Sequence, residues 1–275
     1  MAEYICVEGQ EQRQRPGKKR RLRVSRLLLV ILLLAAFLYG LRLLVYKINN
    51  PSQVFFAPGR LSPPAQSREN SRDLLEELNT LFEKNPETYD FVMNYDANRG
   101  SLAEIDISGD VADGGIPLFL QWDERWGYDN YGSGMLAVTG CGPTCLSMVA
   151  VALTGDLSLN PRTVADFAAE NGYYAEGSGT EWTLMTDGAA KLRLNSRVLP
   201  LHEPTILAEL RAGNPIICSV GSGDFTTEGH YIVLTDVNSD GTVRVNDPNS
   251  IIRSEKSWEL NEIMTQFKNL WSFSG

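Results

Sequence analysis

The stretch "TGCGPTCLSMV", residues 139–149, places two cysteines four residues apart at the start of an apolar run. Glycine and proline around Cys141 indicate a turn that leads into a helix, because proline is favoured in the first helical turn. The run that follows has no charged residue and stops at Gly155, which predicts a buried helix. What the two thiols do depends on the groups that the rest of the chain brings to them.

Charge is divided unevenly along the 275 residues, whose net charge is −9. Residues 1–50 carry ten Lys and Arg against three Asp and Glu, whereas residues 51–275 carry fifteen against thirty-one. An acidic body repels the phosphates of nucleic acid, so we expect no nucleic-acid partner. The division indicates instead that the two parts of the chain face different environments.

An apolar stretch of twenty residues, "LLLVILLLAAFLYGLRLLVY" at 27–46, follows the basic segment and is interrupted only by Arg42. A helix of this length spans about 30 Å of hydrocarbon, and Arg42 lies near one end, where its side chain reaches the interface. No small-residue cleavage pattern follows, so we predict an uncleaved transmembrane anchor rather than a signal peptide. The positive-inside rule then predicts a cytoplasmic tail at 1–26 and an extracellular remainder, as in a single-pass protein of the cell membrane.

Residues 47–114 are expected to form a spacer between this anchor and the main domain. A Pro- and Ser-rich start is followed by a predicted helical hairpin, in which Ser71 caps a helix that stops before Pro86, and then by a Gly- and Asp-rich linker. The main domain is placed at residues 115–275. Its predicted helices come first and its strands come late, which predicts the α+β fold class.

Two late segments, "HYIVLTDV" and "TVRVNDP", flank the turn residues NSDG, as is typical of a β-hairpin. If NSDG is a four-residue turn, Val237 pairs with Thr242 and Leu234 with Val245. His230 and Asp247 then share one apolar face and lie within reach of a hydrogen bond. A histidine held by a carboxylate has the arrangement of a general base. The other histidine, His202, precedes an exposed helix and is interpreted as a surface or capping residue.

The same turn also matches the front of a calcium-binding loop over residues 236–247, with Asp236, Asn238, Asp240 and Gly241 at ligand or turn positions. Asx-Gly turns are common in hairpins for backbone reasons alone. We therefore favour the hairpin, with a calcium-dependent adhesion module as an alternative. We expect the site to need no metal and no cofactor.

For Cys141 we favour a catalytic role over a metal ligand, a disulfide or a core position. A zinc site would lack a second cysteine pair, and a bridge between residues four apart in one helix has awkward geometry. Cys145, one turn deeper, and Cys218, in the strand "PIICSV", are interpreted as core residues. Cys141 lies where the helix begins, where unpaired N–H groups and the helix dipole favour a thiolate. Gln121 has a side-chain amide that can donate to an oxyanion.

In this order and spacing, "PLFLQWDERWGYDNYG", "GCGPTCLSMV", "GHYIVL" and "VNDP" resemble the papain-like cysteine peptidases related to bacteriocin-processing, double-glycine leader peptidases. The resemblance covers residues 115–275 and implies a papain-like α+β fold with a nucleophile, a general base, an orienting carboxylate and an oxyanion donor. By motif these roles fall, in that order, on Cys141, His230, Asp247 and Gln121. The archetypal papain motif uses a later cysteine, which keeps Cys145 as the alternative nucleophile.

The expected protein is therefore a membrane-anchored thiol hydrolase of the bacterial cell surface that cleaves a peptide or amide bond. Leader peptidases of the family are fused to exporters and act in the cytoplasm, whereas this domain is predicted to face outward. Exported peptides or cell-wall peptide bridges fit that topology better as substrates. Trp182 and Gly229, in two Gly-rich loops, are predicted to frame the substrate cleft. The alternative is a catalytically inactive binding or scaffold module on the same fold.

Overall fold

The computed structural model describes residues 65–101, 103–177 and 179–275, with the side chains of the first helix from Leu74 onward. The predicted cytoplasmic tail, the predicted anchor at 27–46 and the Pro-rich start of the spacer lie outside the described residues. Within the described ranges, no helix is long and apolar enough to cross a membrane.

The chain enters the described region through helix α1 (Ala65–Lys84). This helix begins earlier than predicted, so Ser71 lies inside it and the predicted N-cap is wrong. The reason is local, because residues 65–70 include good helix formers and contain no glycine or proline. Pro86 does start a new element, a 3-10 turn at Pro86–Thr88 whose first amide is capped by the side chain of Asn85. Two short helices follow: α2 (Tyr89–Met93) and α3 (Tyr95–Asn98).

Helix α5 (Cys141–Thr154) is the central helix of the domain, as the apolar run predicts. Every residue from Gly142 to Val151 is buried, and the helix ends at Gly155 in the left-handed conformation that glycine favours. The remaining helices are α4 (Leu136–Thr139), α6 (Pro161–Glu170), α7 (Asp187–Lys191), α8 (Glu203–Arg211), α9 (Ile251–Glu255) and α10 (Leu260–Ile263).

The strands form one six-stranded antiparallel sheet, with the order β5-β10-β6-β7-β8-β9, and two separate two-stranded sheets. The large sheet contains β5 (Asn195–Val198), β6 (Ile216–Val220), β7 (His230–Val237), β8 (Val243–Asn246), β9 (Ser257–Trp258) and β10 (Phe267–Ser274). The small ones pair β1 (Asn130–Tyr131) with β2 (Gly134–Met135), and β3 (Tyr174–Ala175) with β4 (Gly179–Thr180).

Alternate residues of the large sheet contribute to two different apolar layers. Ile217, Tyr231 and Val233 belong to the core that includes α5 and α6. Their neighbours Cys218 and Ile232 belong to a second core, which includes residues of α8 and α10. Helices therefore cover both faces of an antiparallel sheet, and the predicted α+β class is confirmed.

The β7–β8 hairpin has the predicted pair of Leu234 with Val245. The predicted pair of Val237 with Thr242 is wrong. Val237 pairs with Val243 instead, because a bulge at Thr235 adds one residue to β7 between the two pairs. The bulge lies on the turn side of the Leu234–Val245 pair, so it leaves the spacing from that pair to His230 unchanged.

Candidate active site

The nucleophile candidate Cys141 is the first residue of α5, between two glycines that the packing requires. A Cβ atom at Gly140 would lie 2.5 Å from the carbonyl oxygen of Leu136, and one at Gly142 would lie 2.6 Å from the hydroxyl of Thr180. Because the amide of Cys141 is in the first turn of the helix, no intrahelical acceptor is available to it. The two glycines therefore allow the start of α5, with the free amide of Cys141, to pack closely against Leu136 and Thr180.

Exposure separates the three cysteines of the described region, all of which are free thiols. Cys141 is partly exposed, whereas Cys145 and Cys218 are completely buried. Burial raises the pKa of the Cys145 and Cys218 thiols well above the ordinary value, which keeps both protonated. The alternative nucleophile, Cys145, is therefore both inaccessible and uncharged.

His230 is the first residue of β7 and is paired with Val220 across the sheet. Its ring Nε2 lies 2.8 Å from Oδ1 of Asp247, a residue that directly follows β8 and is fully buried. Because Nε2 meets the carboxylate, Nδ1 is the ring nitrogen left for Cys141. Burial opposes the charged ring, but the Asp247 carboxylate and, to a lesser degree, the Cys141 thiol raise the pKa of His230 to about 10.

The buried carboxylate of Asp247 has a second charged partner. Its Oδ2 accepts a 2.5 Å hydrogen bond from Nε of Arg253, and its Oδ1 also accepts from the amide of Asn249 at 2.8 Å. Burial alone would raise the pKa of Asp247, but His230 and Arg253 outweigh it and hold the pKa below its ordinary value. The aspartate is therefore anionic and fixed from both sides.

Arg253 is a residue that sequence reasoning missed. The available signal was indirect, because a buried carboxylate has two oxygens and one histidine can satisfy only one of them. That requirement indicates a second donor close to Asp247, and three basic side chains lie near it in sequence: Arg244, Arg253 and Lys256. Of the three, Arg253 is the one that bonds to Asp247, because the turn into α9 brings its side chain to the carboxylate.

Gln121 lies beside the same cavity as Cys141 and His230, and only 3% of its surface is exposed. Its side-chain Nε2 donates to the carbonyl oxygen of Ala137 at 2.7 Å and, weakly, to that of Val138 at 3.4 Å. Its Oε1 has no hydrogen-bond partner in the described part of the chain. The amide nitrogen carries two N–H groups and makes one strong hydrogen bond, to Ala137, so it keeps donor capacity for an oxyanion.

Cys141, His230 and Gln121 line one cavity of about 610 Å³, a size common among ligand pockets. Helix α1 forms one wall with Glu76, Glu77, Thr80, Leu81 and Lys84, and the loop at 223–229 contributes others, including Gly229. Trp182 does not line this cavity. It is half-exposed, and its ring packs edge-on against Trp271, with 5.9 Å between the centroids.

Acidic side chains predominate in the lining of this cavity. Its carboxylates are Glu76, Glu77, Asp224 and Glu228, and its side-chain cations besides His230 are Lys84 and Arg253. Lys84 lies 3.5 Å from Glu228, in a pair that is mostly exposed, and Arg253 is committed to Asp247. The cavity therefore has an excess of negative charge that no side chain of the wall neutralises.

In the described ranges, no three His, Cys, Asp or Glu side chains are grouped in a way that could hold a metal ion. In the hairpin turn, Oδ1 of Asp240 accepts from the amide and the hydroxyl of Thr242, and Asp247 faces His230 instead of the turn. The carboxylates of the calcium-like motif are thus used for separate local contacts.

A family model described as the Peptidase C39-like family matches residues 115–275, more than half of the chain. The family expected from the motifs is confirmed, and the match includes all four candidate catalytic positions. Helices α1 to α3 precede the matched region. No curated protein matches the chain.

Proposed function

The chain belongs to the Peptidase C39-like family, and from that membership we propose that it is an active thiol hydrolase that cleaves a peptide or amide bond. The observation that carries the proposal is the position of His230. Its ring is held by Asp247 at 2.8 Å, and it lines the same cavity as a partly exposed thiol at a helix start. A nucleophile, a base and a group that orients the base are the parts that covalent acyl transfer needs.

In the proposed mechanism His230 first holds the proton of Cys141. With a pKa of about 10 the ring is protonated at neutral pH, and its positive charge beside Cys141 favours the thiolate as the attacking form of the nucleophile. The thiolate attacks the substrate carbonyl carbon, and the oxyanion accepts hydrogen bonds from the Cys141 amide and the side-chain amide of Gln121. His230 gives its proton to the leaving amine. It then takes a proton from the water that hydrolyses the acyl-enzyme, and the free thiolate is restored.

We propose further that this domain acts outside the cell, held at the membrane by residues 27–46. The support is the basic segment before this stretch and the acidic remainder after it. Exported peptides and cell-wall peptide bridges are then the substrates within reach. Protease treatment of intact cells tests the topology, because an outward domain is degraded while the segment 1–26 is protected.

Substitution of the two cysteines of α5 tests the activity. We expect Cys141→Ala in the full chain to abolish hydrolysis of peptide and wall-peptide libraries. We also expect it to remove the iodoacetamide label at residue 141, which has to be mapped by peptide analysis because the full chain also carries the thiol of Cys6. Cys145→Ala is the matched control, because this thiol is one turn away on the same helix but buried. Unchanged hydrolysis by Cys141→Ala would refute the proposal. A folded wild-type chain in which the Cys141 thiol does not react with iodoacetamide would favour the inactive binding module.

A further inference from the structure

Glu87 connects the N-terminal helices to the loop that carries Asp247. It belongs to the 3-10 turn at Pro86–Thr88, ahead of the family-matched residues 115–275. Its carboxylate accepts hydrogen bonds from the amides of Ile251 and Ile252, at 2.8 and 3.2 Å, and from the hydroxyl of Ser250. Three donors at the start of α9 therefore share one carboxylate from a distant part of the chain.

The turn that presents Glu87 is itself fixed. Asn85 is buried and donates through Nδ2 to the carbonyl oxygen of Asn249 at 2.6 Å. The hydroxyl of Thr88, also buried, donates to the backbone carbonyl of Asn85 at 2.8 Å. Asn85 and Glu87 thus hold neighbouring parts of one loop, on either side of Ser250.

From Ser250 the contacts lead to the catalytic carboxylate. The Ser250 hydroxyl accepts from the amide of Arg253 at 3.0 Å, and Nε of Arg253 donates to Asp247. The hydroxyl of Ser254 accepts from the Asp247 amide at 2.9 Å and donates to the Ser250 carbonyl at 2.7 Å. Each step is a direct hydrogen bond, and the last one joins Asp247 to His230.

Helix α9 is too short to keep Arg253 and Asp247 in this arrangement by itself. It has five residues, far fewer than the 12–15 or so that an isolated helix needs to be even marginally stable in water. Its first amides have no acceptor within the helix and depend on an outside group. Without such a group, Arg253 would lose its fixed approach to a carboxylate that is fully buried.

We propose that Glu87 is a positioning residue of the active site, which holds α9 so that Arg253 and Asp247 keep His230 in its catalytic orientation. The inference rests on the proposed hydrolase function for its kinetic consequence. The contacts themselves predict a change at His230 whether or not a substrate is known. The N-terminal helices are thus a functional part of the site as well as one wall of its cavity.

The test compares Glu87→Ala and Glu87→Gln with Glu83→Gln in the full chain. Glu83 is an exposed carboxylate on α1 and serves as the matched control. In both Glu87 variants we expect kcat to fall about 10- to 100-fold, because small displacements near a catalytic group have effects of that size. We expect KM to change little, since Glu87 does not line the cavity.

A second measurement is independent of the substrate. The chain has two histidines, so NMR titration of the imidazoles gives two assignable curves, with the exposed His202 as internal reference. The titratable groups that face His230 are Asp247 and Cys141, and the cation Arg253 lies behind Asp247. In the Glu87 variants Asp247 is held less firmly against His230. We therefore expect the titration midpoint of His230 to fall by about one pH unit, with the curve of His202 as the reference.

Each outcome of these measurements either supports the positioning role of Glu87 or overturns it. Unchanged kcat and an unchanged His230 midpoint in folded Glu87→Ala would overturn the proposal. Failure of both variants to fold would also overturn it, because Glu87 would then be a general stability residue. Activity that persists in Cys141→Ala removes the hydrolase function alone, and a shifted His230 midpoint in the Glu87 variants would still support the positioning role.

Discussion

Nε2 of His230 lies 2.8 Å from Oδ1 of Asp247, and both side chains are almost completely excluded from water. In such surroundings the histidine depends on the carboxylate for its charge, because burial alone favours the neutral ring. We expect Asp247→Asn to lower the pKa of His230 and to reduce kcat by at least about tenfold. The pH profile of iodoacetamide reaction with Cys141 measures the shift. Asp236→Asn, an exposed change on the same hairpin, should leave that profile in place.

The same pair predicts how stability varies with pH. The pKa of His230 is raised above its ordinary 6.5, so its stabilising contribution is complete below that value and is lost as pH rises through about 10. The pKa of Asp247 is lowered, so its contribution is complete above the ordinary 3.8 and is lost as pH falls through the lower folded value. The difference in melting temperature between wild type and Asp247→Asn should be largest between about pH 4 and 6.5 and shrink towards pH 10. A difference that grows towards pH 10 would contradict this assignment.

Gln121 is expected to act on the oxyanion and to leave the reactivity of the thiol unchanged. Gln121→Ala should lower kcat about 100- to 1000-fold, which is the usual cost of losing one oxyanion donor. Alkylation of Cys141 by iodoacetamide forms no oxyanion and should change little. Comparing the two rates in one preparation provides the check, and equal losses in both would point to a displaced Cys141 instead.

Gly142 is predicted to tolerate no side chain. A Cβ atom there would lie 2.6–2.7 Å from the side chain of Thr180, which also hydrogen bonds to Tyr131 and has little freedom to move. We expect Gly142→Ala to lower the free energy of unfolding by about 1–3 kcal/mol, as measured by urea denaturation. Gly109→Ala is the control, because a Cβ atom there meets no atom within 4 Å.

The acidic lining of the cavity predicts a preference for cationic substrates. Among peptides of equal length, those with Lys or Arg near the scissile bond should have a kcat/KM on the order of tenfold higher than acidic ones at low ionic strength. The ratio should shrink as salt screens the cavity. Glu76→Gln together with Glu77→Gln should reduce the preference. A ratio insensitive to both changes would show that charge does not select the substrate.

The sequence predicted the parts of the site that depend on local periodicity. His230 and Asp247 share a face because strand residues alternate, and the bulge at Thr235 lies outside the span that sets their spacing. Arg253 and Glu87 were not predictable in this way, since their contacts depend on a loop and on residues more than 160 positions apart. Strand β10 was also missed, because its bulge between Phe267 and Asn269 interrupts the apolar alternation.

The stack of Phe91 on Tyr128, with 4.1 Å between ring centroids, shows that the family boundary at residue 115 is not a folding boundary. Leu78, Leu81 and Val92 from the preceding helices share this apolar cluster with Tyr128, Met135 and Ala137. A recombinant fragment cut at residue 115 would expose that surface to water, and exposed apolar patches promote aggregation. We therefore expect the family-matched residues 115–275 to remain soluble only when the chain from α1 onward is retained.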